Sequence, residues 1–175
     1  EGCAAKTRNK KKRSLRGGDD DDDTSLETCL TLDDYGALRT AVESCLLEDP
    51  TGNDCPGVLG DDGSAPCPMR HWDVSNVTDM RELFSGASTF QADISGWDVS
   101  NVQDMYAMFA NARAFSAPIG GWDVSEVSDM SHMFQFASLF NADIGGWDTS
   151  AVTDMSYMFS GASAFAADLS CWDLY

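Results

Sequence analysis

Beyond Lys12 the chain has no lysine, and beyond Arg16 its cations are few. Seven of the eleven Lys and Arg fall in the first sixteen residues, while the formal charge of the whole is −18. The block from Trp72 to Tyr175 carries fourteen acidic residues against only Arg81 and Arg113, a net −12. A surface of that sign repels phosphate backbones and anionic headgroups, which argues against nucleic acid and acidic lipid as partners. It suits cationic partners, divalent ions or simple solubility. No run of eighteen apolar residues exists, so no segment reads as a membrane span. Histidine is scarce too. His71 and His132 lie in different segments, with no Ser-His-Asp or Cys-His arrangement, glycine-rich phosphate loop or metal triad around them. Aspartate is abundant enough that composition alone leaves room for a glycosidase-like carboxylate pair. Each such Asp is nevertheless accounted for by a repeat, and no enzyme is expected.

The six cysteines also lack something: no two form a C-x-x-C pair. Cys29, Cys45, Cys55 and Cys67 cluster in a short, loop-rich segment, and Cys3 and Cys171 stand far from them. That pattern favours disulfides and an oxidising compartment over zinc, with three pairings open to the four clustered residues. The first residue is Glu1 rather than Met, as expected where a leader has been cut away.

Residues 1–23 join a basic run, Lys6 to Arg16, to five consecutive Asp and have little to bury, so they read as a disordered charged tail. Residues 24–71 read as an N-terminal cap helix followed by a Cys-rich connector. Leu32, Tyr35, Leu38, Val42, Cys45 and Leu46 recur at the three-and-four spacing of one helical face, with Thr31 or Asp33 as cap and Asp49-Pro50-Thr51-Gly52 as stop. Such a helix would cover the apolar end of the block beyond it.

That block is a repeat. Trp72, Trp97, Trp122, Trp147 and Trp172 are spaced by 25 residues, giving four complete copies and a fifth that ends at Tyr175. The array is expected to continue, or to meet a partner, at that end. A fixed period of this length marks a stacked or arrayed architecture. Within a copy, Met80, Leu83, Phe84, Ala87 and Phe90 have helical spacing, which predicts short helices over 79–87, 104–112, 129–137 and 154–162. Ala92-Asp93-Ile94-Ser95-Gly96 alternates as a half-buried strand does. The expected fold class is therefore an α/β repeat solenoid over 72–175, a leucine-rich-repeat-like stack of coils, each a short helix plus a short parallel strand. Twenty-five residues are too few for a propeller blade, and calcium-binding nonapeptides are absent.

The copies WDVSNVTDMRELFSGASTFQADISG, WDVSNVQDMYAMFANARAFSAPIGG, WDVSEVSDMSHMFQFASLFNADIGG and WDTSAVTDMSYMFSGASAFAADLSC resemble the BspA-type surface repeat. That family is also described as domain of unknown function 285 and is similar to leucine-rich repeats. The preceding D-D-Y-G-A-L-R-T-A-V-E resembles its helical lead-in, so the likeness covers 31–175. It implies secreted or surface-displayed proteins of bacteria and marine microalgae that attach to partners without known catalysis. Pro118, Phe136 and Cys171 depart from the pattern, and Pro118 predicts a local irregularity in the second copy.

Three rows of Asp recur: Asp73, Asp98, Asp123, Asp148 and Asp173 after each Trp; Asp79, Asp104, Asp129 and Asp154 before each Met; and Asp93, Asp143 and Asp168 in the expected strand. Carboxylates about 5 Å apart repel, so an uncompensated row raises its own pKa values or recruits cations, calcium among them. The first two rows are expected to cap turns. The third, with Ser95 and Ser170 and the glycines Gly120 and Gly145 between them, is the candidate binding face: Asp93, Ser95, Asp143, Asp168 and Ser170. No metal ligand set and no cofactor is expected, calcium excepted. The function expected is a secreted or cell-surface module that binds protein or glycan in adhesion. The alternative is a calcium- or mineral-associated structural protein.

Overall fold

The computed structural model describes residues 28–63 and 65–172. The tail expected over 1–23, with Cys3, and the residues after Trp172 lie outside them.

Leu30–Thr31 (β1) pairs in parallel with Trp72–Asp73 (β2), Leu30 opposite Trp72 and Thr31 opposite Asp73. Between them runs the one α-helix of the described residues, Tyr35–Glu48 (α1). It starts later than the periodicity suggests because Thr31 is drawn into β1. The Thr31 hydroxyl and N–H donate to the Asp61 carboxylate at 2.9 and 3.1 Å. Asp34 caps instead, in extended conformation, accepting the Ala37 N–H at 2.8 Å. At the other end the Asp49 carboxylate accepts the Thr51 N–H at 2.9 Å, its hydroxyl at 2.7 Å and the Asp54 N–H at 2.9 Å, which turns the chain out of the helix. The Thr51 bonds, first the hydroxyl, hold the Asp49 carboxyl below its ordinary value. Leu38, Val42 and Cys45 form the buried face.

Two disulfides pin this region, Cys29–Cys67 and Cys45–Cys55. Cys171 is disulfide-bonded as well. The cap is tied to the first repeat at several points. The Tyr35 hydroxyl donates to the Arg81 carbonyl at 3.0 Å, and the Gln91 N–H to the Thr51 carbonyl at 3.0 Å. Gly52, at φ 74°, packs against Phe90, where an added Cβ would stand 2.7 Å from the ring. A side chain there would meet both the left-handed backbone and the ring.

The expected α/β solenoid of helix–strand coils is not what forms. No helix occupies 79–87 or its counterparts, and no strand occupies 92–96. The first copy is a succession of β-turns: Val77 N–H bonds to the Val74 carbonyl, Leu83 to Met80, Ser85 to Glu82, Ala87 to Phe84, Phe90 to Ala87 and Trp97 to Ile94, at 2.9–3.3 Å. An α-helix would send each amide hydrogen four residues back along its own chain. Here the N–H groups of Met80, Glu82, Phe84 and Gly86 go to the next copy, to the carbonyls of Asp104, Tyr106, Met108 and Ala110, at 2.7–2.9 Å. The same four bonds join the second copy to the third and the third to the fourth. Because pairing touches alternate residues with turns between, it registers only as single parallel bridges, Asp79 with Asp104, Asp104 with Asp129 and Asp129 with Asp154. Backbone conformation seals the outcome. Glu82, Ala107, His132 and Tyr157 have φ of 50–59°, and Gly86, Asn111, Phe136 and Gly161 follow at 57–77°. Two left-handed residues per copy cannot sit in a right-handed helix.

The three-and-four spacing did identify the inward side. Phe84, Phe109, Phe134 and Phe159 form one column with ring centroids 5.5–5.8 Å apart. Phe90, Phe115, Phe140 and Phe165 form a second at 5.6–6.0 Å. Four of the five Trp indole N–H groups are satisfied by a carbonyl 28 residues back, Trp97 by Met69, Trp122 by Ile94, Trp147 by Ile119 and Trp172 by Ile144, at 2.7–3.2 Å, and Trp72 by the Cys67 carbonyl at 2.8 Å. After Pro118 the second copy turns through a short 3-10 segment, Ile119–Gly121.

Candidate functional site

All three Asp rows have the same local geometry. In the first, Asp73, Asp98, Asp123 and Asp148 accept the N–H of Ser75, Ser100, Ser125 and Ser150 at 2.9–3.1 Å. In the second, Asp79, Asp104, Asp129 and Asp154 accept from Arg81, Tyr106, Ser131 and Ser156 at 2.8–3.0 Å. The candidate face behaves alike. Asp93 accepts from Ser95 at 3.0 Å, Asp143 from Gly145 at 3.3 Å and Asp168 from Ser170 at 2.9 Å. A carboxylate two residues before the amide it accepts is an Asx-turn, the commonest use of Asp in tight chain reversals. Asp93, Asp143, Asp168 and Ser170 are exposed and Ser95 is half-buried.

The glycines between these residues have a steric task. A Cβ on Gly120 would run into the Asp143 carbonyl oxygen, and one on Gly145 into that of Asp168. The structure thus brings Asp143 and Asp168 into adjacent copies around Gly145, while Pro118 takes the place between Asp93 and Asp143. The electrostatics run opposite to the expected mutual repulsion. The Ser95 hydroxyl, then its N–H, lower the Asp93 carboxyl from its ordinary value. Ser156 does the same for Asp154, and the Ser170 N–H leads for Asp168. Hydrogen bonds to the charged form outweigh the cost of desolvation here.

The second row borders features that sequence reasoning missed. The Arg81 guanidinium spans two rungs, 2.7 Å from Asp79 and 3.4 Å from Asp104. In the following copies a row of rings replaces it. Tyr106 meets His132 edge-on at 5.7 Å, and His132 stacks on Tyr157 at 5.1 Å. Tyr106 is 36 % and Tyr157 66 % exposed, with His132 half-buried between them and its Nδ1 3.0 Å from Gln135 Oε1. Aligned on Trp, His132 and Tyr157 share one variable slot ten residues along their copies and Tyr106 stands nine along, so alignment alone does not join the three. The left-handed backbone at His132 and Tyr157 turns them toward one line. His71 has a different setting, with Arg70 Nε 3.1 Å from its Nε2.

Residues 62–174 match the family model described as Mycoplasma protein of unknown function, DUF285. The chain belongs to the DUF285 family. The match takes in all four copies and the end of the connector, and leaves α1 outside it. No curated protein and no solved structure matches the chain. This DUF285 member holds its cap with two disulfides, which fit an oxidising, extracellular setting. No helix among the described residues is long and apolar enough to cross a membrane.

Proposed function

We propose that the chain is a BspA-type surface protein, kin to leucine-rich-repeat proteins, secreted or displayed outside the cell, where it binds a protein or a glycan in adhesion and performs no catalysis. One observation carries this reading. A constant frame of turns and stacked rings presents outward positions whose side chains change from copy to copy. Arg81, Tyr106 and Ser156 are exposed at one position and Glu82 and Tyr157 at the next, where His132 is half-buried; the other occupants of these positions, Ser131 and Ala107, are buried. A repeated scaffold with varied outward residues is how stacked-repeat proteins build extended recognition surfaces. The Asp93, Ser95, Asp143, Asp168 and Ser170 face adds acidic character, which favours cationic or polar partners. The test is a pull-down from surface extracts together with a glycan array, using disulfide-intact protein. Saturable capture on either supports the module; silence on both counts against it.

A second reading rests on the bridged row Asp79, Asp104, Asp129 and Asp154, whose backbones run side by side. Calcium or a mineral surface would engage such a row in a structural role. Calorimetry with millimolar calcium decides it: no heat of binding and an unchanged melting temperature would sink the idea.

A further inference from the structure

The ring row and the second Asp row lie together, and Arg81 displays what their combination can hold. Its guanidinium bridges the carboxylates of two successive copies while its N–H closes the Asp79 turn. At the equivalent position the next copies have Tyr106, Ser131 and Ser156, so no later copy supplies a cation from that position. Asp129 and Asp154 meet no guanidinium or ammonium group among the described residues, and Arg113, the other cation of the repeats, lies seven residues beyond Tyr106. The unfilled rungs are flanked by exposed phenol rings. Carboxylate pairs at repeat spacing match a planar guanidinium, and an electron-rich ring face adds cation–π attraction.

We propose that Tyr106, His132 and Tyr157, with Asp104, Asp129 and Asp154, form a docking surface for an arginine-bearing extended segment of a partner protein. The net −12 of the repeats draws such a segment in. Each guanidinium takes the place that Arg81 fills one copy earlier. The ring centroids are 5.7 and 5.1 Å apart along the row. Three residues of extended peptide span roughly 10 Å, about two steps of the row, so arginines at every third position present one guanidinium at a time to the adjacent pairs Asp104–Asp129 and Asp129–Asp154.

The inference rests on the binding-module reading, and its test separates the two. A labelled Arg-Gly-Gly-Arg-Gly-Gly-Arg peptide is titrated by fluorescence anisotropy against the full disulfide-intact chain at low ionic strength. Saturable binding is expected, with none for the citrulline counterpart, which keeps the shape and drops the charge. His132→Ala and Tyr157→Ala should each weaken binding about tenfold, and Tyr157→Phe should keep it. Tyr157→Leu, which retains apolar bulk, should lose as much as Tyr157→Ala at an unchanged melting temperature. Asp98→Asn and Asp123→Asn, exposed turn carboxylates of the first row, should leave binding as it is. No peptide binding overturns the docking surface alone, since the module reading answers to its own pull-down and array. Equal binding by the ring variants, or equal loss in Asp98→Asn and Asp123→Asn, reduces the effect to diffuse charge and also overturns it. Binding that emerges only when Lys10, Lys11, Lys12 and Arg13 are changed to Ala assigns the face to the chain's own basic segment, against a partner. A dimer by sedimentation with no peptide binding assigns it to a second copy and likewise overturns the proposal.

Discussion

Glu82, Ala107, His132 and Tyr157 occupy left-handed backbone that a Cβ disfavours by roughly 1–2 kcal/mol. For the first three, the cost is offset where the strained residue's own N–H bonds to the next copy. Glycine in the same conformation carries no such penalty, which allows a paired test. Gly86, at φ 77° with open space around its Cβ position, should lose about 1 kcal/mol as Gly86→Ala, through conformation alone. Exposed Glu82→Gly should be neutral or gain up to about 1 kcal/mol. Urea unfolding of both variants reads the difference. The Asp turns set a pH dependence at the same scale. Asp49, Asp93, Asp154 and Asp168 are held below the ordinary 3.8, so at falling pH the unfolded chain takes up their protons before the native one does. Their contribution is therefore complete above the ordinary carboxyl range and is lost as pH falls through the lowered native values. Melting temperatures should be flat from neutral to about pH 5 and drop below about pH 4. A fall that sets in above pH 6 would contradict this assignment.

At the level of elements, α1 and its disulfides hold the near end of the repeats. Its face of Leu38, Val42 and Cys45 was legible in the sequence because helical periodicity and the Pro50 stop agree there. The start was not, since Thr31 answers to Asp61 and to β2, thirty and more residues away. Closing the 38-residue separation of Cys29–Cys67 should stabilise by about 4 kcal/mol and the 10-residue separation of Cys45–Cys55 by about 3 kcal/mol, on loop entropy. Serine pairs at the first should thus melt lower than at the second, as calorimetric scans can show. The repeat elements were misread for one reason. Met80, Leu83, Phe84, Ala87 and Phe90 point inward at helical spacing whether the backbone is a helix or a chain of β-turns. The candidate face was read as a free strand surface, yet its carboxylates serve turns, because Asp two residues before Ser or Gly closes an Asx-turn wherever the chain bends.

Over the whole molecule, stability is a column property. Phe109 is fully buried, with Phe84 and Phe134 at 5.5 and 5.6 Å on either side and Phe115 at 3.9 Å within its own copy. Phe109→Ala should cost about 3–5 kcal/mol in denaturant unfolding, since both neighbouring copies lose a stacking partner. Phe165, only half-buried in the last copy, should cost less on the same change. The columns also fix the outer surface. Copies 25 residues apart in sequence bring Tyr106, His132 and Tyr157 into one row that no local window contains.

The sequence by itself determined the period, the inward residues, the use of disulfides rather than zinc in the cap, and membership of DUF285. Each of these depends on residue type and spacing alone. Only the tertiary structure decided where the backbone amides of 80–86 would bond, and with that choice helices gave way to turns. Periodicity reports which side of a segment is apolar; the partner of its N–H groups depends on whether another copy lies about 5 Å away to accept them.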